Sequence, residues 1–334
     1  MERTRKHEAA KQRNKGVMMK IVVLDGFVLE SAELGWQALE ALGELTVYDR
    51  TPHDKVAERI GNAPYVYTNK TPITSDILAQ CPELKFIGVL ATGYNVVDIA
   101  EATCRGVTVC NVPSYSTDSV AQFTFALLLE ICHHVGAHSD AVFNGEWMNS
   151  KDFCFWKSPL IELAGKTIGL VGFGRIGQAV AKIAKAMGLK VVYHAKTAKD
   201  IPGLRFVTLD ELWKESDIVS LHCPLTEETN EMINKTSIAK MKDGVIIINT
   251  SRGGLIAEQD LAEALNSAKV YAAAADVVSA EPIKHDNPLL TAKNMILTPH
   301  IAWAPKEARV RLMEISVKNL EMFIKGTPIN VVDA

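Results

Sequence analysis

This 334-residue chain is predicted to fold as two doubly wound parallel α/β domains, on three observations. Short apolar runs of strand type alternate with helix-period stretches in two successive rounds, and alternation at that spacing produces parallel sheets. Between the rounds, residues 167–177 read Thr-Ile-Gly-Leu-Val-Gly-Phe-Gly-Arg-Ile-Gly, a buried-type strand running straight into G-x-G-x-x-G. The length exceeds what one core normally organises, while 48% apolar and 22% charged residues make an ordinary globular composition.

The chain opens on a stretch of a different kind. Residues 1–18 hold six of the 36 basic and two of the 39 acidic residues, so the remainder carries a net charge of −7 against −3 for the whole. Almost no large apolar side chain and no signal-type apolar run occur there, so a disordered tail is expected, the product of an upstream start codon; a basic docking tail is the alternative. From residue 19 the first round places strands at 21–24, 45–48, 65–68, 86–90 and 107–110, with helices around 34–42, 55–60, 76–79 and 98–104. Ser116-Thr117-Asp118 then offers an N-cap to a long apolar helix from 120 to about 135.

The second round begins at the glycine-rich turn. Gly172 permits the tight turn, Gly174 lets backbone N–H groups approach a pyrophosphate, and Gly177 lets the helix pack on the strand, a dinucleotide cradle at a helix N-terminus. Its context supports the motif: Ile176, Val180, Ile183, Ala184 and Met187 share one helical face. Strands follow at 190–194, 217–221, 245–250, 270–276 and 295–297. Pro305 opens a last amphipathic helix that stops at Gly326, and nothing after it makes a third domain. That helix is therefore expected to return to the first domain, leaving a cleft between two lobes. The expected division is 1–18 as tail, 19–118 with 303–334 as a substrate domain, and 119–302 as a cofactor domain.

Three segments end strands of the second round, where such folds place their ligands. They are Asn249-Thr250-Ser251-Arg252-Gly253-Gly254, Asp276-Val277-Val278-Ser279-Ala280-Glu281-Pro282 and Thr298-Pro299-His300-Ile301-Ala302-Trp303. Reduction of a 2-keto acid needs these parts. A cation must hold the carboxylate and polarise the keto oxygen, which the planar fork of Arg252 can do. A general acid must protonate the nascent alkoxide, and His300 is the suitable residue type. Glu281 is the carboxylate that would orient His300 and stabilise its protonated form.

Strand-GFGRIG-helix, SRGG, DVVSAEP and TPHIAW, in this order and spacing, resemble the D-isomer-specific 2-hydroxyacid dehydrogenases from residue 19 to the C-terminus. The resemblance implies a flavodoxin-like substrate domain beside a Rossmann cofactor domain, with Arg252, Glu281 and His300 catalytic. In the first domain, Leu90-Ala91-Thr92-Gly93-Tyr94-Asn95-Val96-Val97-Asp98 is similar to the family's substrate-carboxylate loop, with backbone N–H groups near Thr92 and Gly93 as donors. Asn111-Val112-Pro113 resembles its hinge, and Asn111 is counted with the substrate residues. Asp276 is implied to contact the nicotinamide amide, while Arg175, Ile176, Cys223, Pro224 and Thr250 would line the cofactor. Residues 155–166 together with LATGYNVVD resemble the glycerate dehydrogenases, or hydroxypyruvate reductases, within that family. Phosphoglycerate dehydrogenases tend to carry an arginine upstream of Thr-Gly, whereas Val89 and Leu90 stand here. The substrate remains open among hydroxypyruvate, glyoxylate and related acids.

One departure concerns the cofactor. NAD-preferring members usually end the second strand of this domain on an acidic residue that binds the ribose; here His194 stands in its place, with Lys196 and Lys199 nearby. NAD is expected, with NADP left open. An NAD(H)-sensing co-repressor-like binding protein on the same fold is the alternative of another class, and formate oxidation, which needs no such acid, is disfavoured by the Glu281 and His300 pair. The charge shows no nucleic-acid footprint, no apolar run reaches membrane-span length, and six cysteines without metal-type spacing suit a reducing cytoplasm and no metal. The resemblance implies a homodimer, with 132–156, containing His133, His134, Trp147 and Phe153, as an exchanged arm.

Overall fold

The computed structural model describes residues 19–29, 35–198 and 201–332. The basic stretch 1–18 and Lys199 lie outside them. Two compact units divide the chain: one runs to Tyr115 and resumes at Lys306, and the other is Ser116–Pro305.

The first unit carries β1 (Lys20–Val23), β2 (Glu44–Val47), β3 (Tyr65–Thr68), β4 (Phe86–Val89) and β5 (Thr108–Cys110). All pair in parallel, in the order β2-β1-β3-β4-β5. This is the flavodoxin order, which reverses direction between β1 and β3. The connecting helices α1 (Gln37–Glu40), α2 (Val56–Ile60), α3 (Ser75–Gln80) and α4 (Ile99–Cys104) are short. Asp98 caps α4 by accepting the Glu101 N–H, which satisfies one of the donors a helix start leaves open.

The second unit opens with α5 (Thr117–His133) and α6 (Val135–Phe143), then runs β6 (Thr167–Val171), α7 (Arg175–Ala186), β7 (Lys190–His194), β8 (Arg205–Phe206), α8 (Leu209–Glu215), β9 (Ile218–Leu221), α9 (Lys235–Lys240), β10 (Val245–Asn249), α10 (Glu258–Asn266), β11 (Val270–Ala275) and β12 (Met295–Leu297). The sheet order is β12-β11-β10-β9-β6-β7-β8. Counted from β6 this is the Rossmann order with one strand added, and it switches direction between β6 and β9. Its central strands are apolar throughout because both faces are covered. On β10, Val245 and Ile247 enter one core and Ile246 and Ile248 the other, following the two-residue period of a strand. α5 and α7 supply much of the second core, through Phe125, Leu128, Val180 and Ala184.

α11 (Lys306–Ile324) completes the first unit. It packs on the first sheet: Tyr67 donates its hydroxyl to the Ser316 carbonyl at 2.8 Å, and Asn319 donates to the Asn111 carbonyl at 2.9 Å. Gly326 follows at φ +77, a left-handed stop that glycine adopts without strain.

The helix expected from 120 to about 135 is α5 (Thr117–His133), and a second helix that was not expected, α6 (Val135–Phe143), follows it. His134 adopts a left-handed conformation (φ 45, ψ 47) between them, and their axes bend by 54°. Ser116 does occupy the N-cap position, but its side chain makes no capping bond; its carbonyl accepts from Val120 N–H and Ser119 Oγ. β8 was not expected because two residues carry no readable period. No single helix among the described residues is long and apolar enough to cross a membrane.

Candidate active site

The glycine-rich turn lies at the β6/β9 switch. Gly172 has φ +96, and a Cβ there would meet the backbone of His222 and Cys223 at 2.5 Å, so the turn can close on the β9 end only with glycine. A Cβ on Gly177 would meet the Gly172 carbonyl at 2.4 Å, whereas one on Gly174 would enter open space. The open side of the cradle is thus at Gly174, where a pyrophosphate needs backbone within reach. No side chain caps α7 and no acidic residue stands in its first turn, so its positive end is available to an anion. Arg175 is exposed at the helix start, and Ile176 is half-buried against the core. These residues fit a dinucleotide.

The arginine, glutamate and histidine segments form one wired rim. Asn249 is fully buried at the end of β10; its Nδ2 donates to the Arg252 carbonyl at 2.8 Å and its Oδ1 accepts the Ser251 N–H at 3.0 Å. This side-chain-to-backbone turn holds Arg252 extended and exposed, with its Nη1 donating to the Ser251 carbonyl at 2.7 Å. A Cβ on Gly253 would lie 1.9 Å from the Val278 carbonyl carbon, so the arginine loop touches the backbone of the glutamate loop. Glu258 on α10 holds that second loop, accepting from Ser279 N–H, Ser279 Oγ and Asn287 Nδ2 at 2.7–2.9 Å.

Glu281 and His300 meet: Oε2 lies 2.7 Å from Nδ1, with both side chains about one-third exposed. A carboxylate only accepts, so Nδ1 carries the proton and Nε2 is left for a reacting group. His300 sits at φ +55, a left-handed conformation that costs a non-glycine residue ~1–2 kcal/mol. Asp276 holds it there. The Asp276 carboxylate, buried to 1% exposure, accepts from Thr298 Oγ1 at 2.6 Å, Ile301 N–H at 2.9 Å and Ala302 N–H at 2.8 Å. Asp276 therefore braces the histidine segment. Its own N–H donates to the Asn249 carbonyl, which joins the two braces.

Other expected cofactor residues separate into those facing the turn and those facing inward. His194 ends β7; its Nδ1 donates to the Val207 carbonyl at 2.9 Å and its ring stacks on Phe206. Lys196 is exposed beyond it. Thr250 is buried and shares a hydroxyl contact of 3.1 Å with Thr124 of α5. The Cys223 side chain is buried toward Met232, with its thiol pushed up to about 11 by burial, and its backbone faces Gly172. Pro224 is exposed and its carbonyl accepts from Thr229. His222 lies beside Gly172; burial pulls its pKa down to about 4, and Ser220 Oγ lies 2.9 Å from its Nε2.

In the first unit, Thr92 and Gly93 follow β4 on a partly exposed loop. Asn111 is buried and its amide donates to the Thr92 carbonyl at 2.7 Å, so it shapes the loop. The braces Asn249, Asp276 and Glu258 were not singled out as such. Asn249 had a readable signal, an Asx residue two positions before Ser251 at a strand end; Glu258 had none, because its partners lie 21 and 29 residues away.

Known proteins resemble this chain over most of its length. The family model for the NAD binding domain of D-isomer specific 2-hydroxyacid dehydrogenases matches residues 125–302. The hydroxypyruvate reductase of Blautia hydrogenotrophica is 59% identical over 321 residues, covering 94% of this chain and 100% of that protein. The glycerate dehydrogenase of Methylorubrum extorquens is 38% identical over 318 residues, covering 94% and 99%. Among solved structures, an NADPH-dependent glyoxylate/hydroxypyruvate reductase from Sinorhizobium meliloti, in complex with NADP and malonate, superposes with a TM-score of 0.81 at 26% identity, covering 94% and 97%. With a Rossmann sheet, a glycine cradle and an Arg–Glu–His rim in one chain, and relatives of this kind along almost its whole length, the protein is an oxidoreductase that belongs to the D-isomer specific 2-hydroxyacid dehydrogenase family.

Proposed function

We propose that this enzyme reduces hydroxypyruvate to D-glycerate, with glyoxylate as a second substrate. The observation that carries the reading is the Glu281–His300 contact at 2.7 Å on the rim that also bears Arg252; the 59% identity to a hydroxypyruvate reductase supports the choice of substrate. A nicotinamide cofactor held at the Gly172–Gly177 turn would supply the hydride for C2 of the keto acid. His300 Nε2 gives its proton to the C2 oxygen, and Glu281 fixes the tautomer that makes this possible. The guanidinium of Arg252 polarises that oxygen and holds the carboxylate. In the first unit taken by itself, the loop 90–98 resembles the family's substrate-carboxylate loop, and the Thr92 and Gly93 N–H groups are the donors proposed there. Val89 and Leu90 offer no charge to a phosphorylated substrate.

NAD is the expected cofactor, with NADP also accepted, because His194 puts no carboxylate at the end of β7. All six cysteines are free, which supports a reducing, cytosolic location. A homodimer is supported by the exposed apolar residues of 135–160. The buried Cys132 belongs to the core instead, so any exchanged arm starts after it. The reading as an NAD(H)-sensing binding protein is set aside, since the relatives are reductases and dehydrogenases. Steady-state oxidation of NADH and NADPH with hydroxypyruvate and glyoxylate tests the proposal. Wild type should turn over hydroxypyruvate with the higher kcat/KM, and His300→Asn should abolish turnover while still binding NADH; an active His300→Asn enzyme would remove the histidine from the mechanism.

A further inference from the structure

The substrate-carboxylate loop is held by a buried network that no part of the mechanism above uses. It begins at the β1/β3 switch of the first sheet, the point where doubly wound folds usually leave a ligand crevice. Asp25 follows β1 there at 8% exposure. Its Oδ1 accepts the Asn69 N–H at 2.7 Å, and its Oδ2 accepts Lys70 N–H at 2.6 Å, Thr71 N–H at 2.7 Å and Thr71 Oγ1 at 3.0 Å. Four donors from the three residues after β3 thus converge on one carboxylate. Asn69, at 5% exposure, passes the constraint on: its Nδ2 donates to the Leu90 carbonyl at 2.6 Å.

Two further bonds hold the next peptides of the loop. Val112 N–H donates to the Ala91 carbonyl at 3.0 Å and Asn111 Nδ2 to the Thr92 carbonyl at 2.7 Å. Carbonyls 90, 91 and 92 are each pinned. A peptide unit is planar, so pinning a carbonyl also fixes the direction of the N–H that follows it. The N–H groups of Thr92 and Gly93 are aimed in this way, and neither has an acceptor among the described residues. Asn69 sets the first plane of the series, and Asp25 sets Asn69.

We propose that Asp25 is a positioning residue for the substrate carboxylate, acting through Asn69 on the Leu90–Gly93 backbone. This rests on the reading of that loop as the carboxylate site. It separates Asp25 from an ordinary buried brace, because the consequence falls on substrate affinity rather than on the fold alone or on cofactor binding.

The test is a double-mutant cycle on the full-length enzyme, with KM for hydroxypyruvate, kcat, and the Kd for NADH from fluorescence titration. Asp25→Asn turns one acceptor into a donor against the N–H groups it faces, and Asn69→Ala removes only the link to Leu90. Each should raise KM about tenfold and leave the NADH Kd unchanged, and the double variant should be no worse than the worse single one, as for two members of one relay. An unchanged KM, or effects that simply add, would overturn the proposal. If Asp25→Asn does not fold, Asn69→Ala alone decides: an unchanged KM overturns the relay. Gly93→Pro deletes one of the aimed donors directly. If it raises KM while Asp25→Asn and Asn69→Ala do not, the relay fails and the carboxylate loop stands; if it too leaves KM unchanged, the loop reading fails and the proposal with it.

Discussion

Arg252 owes its extended, exposed placement to Asn249 and to the glycine after it, so its contribution can be removed without disturbing its neighbours. Arg252→Lys keeps the charge and loses the planar fork. It should lower kcat/KM for hydroxypyruvate by ~10²–10³ while changing NADH affinity less than twofold. Unchanged turnover would take Arg252 out of the site. His194 makes the second point at this scale. A carboxylate beside a ribose accepts from its 2′-hydroxyl and repels a 2′-phosphate, whereas His194 is a neutral or cationic ring whose Nδ1 is already committed to Val207. His194→Asp should therefore lower the ratio of kcat/KM with NADPH to that with NADH by about tenfold or more, with the KM for hydroxypyruvate nearly constant. A ratio that does not fall places the ribose elsewhere.

At the scale of elements, the site depends on how closely the loops after β10 and β11 approach. Gly253→Ala forces the two backbones apart, since the new Cβ would sit within 2.0 Å of the Val278 carbonyl. Overpacking of this kind costs ~1–3 kcal/mol. The variant should unfold several degrees lower and lose kcat at least about tenfold, measured by thermal melt and single-turnover reduction; a wild-type kcat would mean the loops need not touch. The switch between β6 and β9 carries a pH signature. Burial lowers the pKa of His222 from 6.5 to about 4. Between those values the unfolded chain binds the proton and the folded chain does not, so stability falls as pH drops through this window, by on the order of 3 kcal/mol. The urea midpoint should fall more steeply between pH 7 and pH 5 in wild type than in His222→Asn; parallel slopes would show that the ring is not held neutral. Strand positions were legible in the sequence to within a residue or so, because a strand buried on both faces, such as 245–249, is one unbroken apolar run. The second helix at 135–143 was not, since only Ala141 of it is buried and no apolar stripe marks it.

For the whole molecule, the segment after α5 leaves apolar surface that one chain does not cover: Phe143 is 88%, Met148 88%, Phe153 89% and Trp156 66% exposed. Exposed apolar side chains of this size, close together in the sequence, suit an interface, and a second copy of the chain is the occupant proposed above. Light scattering should give twice the 36.5 kDa chain mass, and Met148→Asp with Phe153→Asp should give the monomer; a wild-type monomer would refute the homodimer.

The sequence by itself determined the fold class and the glycine cradle, and it singled out Arg252, Glu281 and His300 as candidates, because each is written locally: an apolar run, a G-x-G-x-x-G spacing, an Arg, Glu or His at a strand end. It did not determine what holds them. Sequence names Asp276 as a cofactor residue and Asn111 as a substrate residue, but not the hydrogen bonds through which they hold the loops around them. Each carries a polar side chain beside the site, and sequence does not say whether that side chain faces a ligand or the backbone of a neighbouring loop. Asp25 and Glu258 are silent for the same reason. Their partners lie 44–46 and 21–29 residues away, and only the parallel order of the strands brings such distant peptides to one carboxylate.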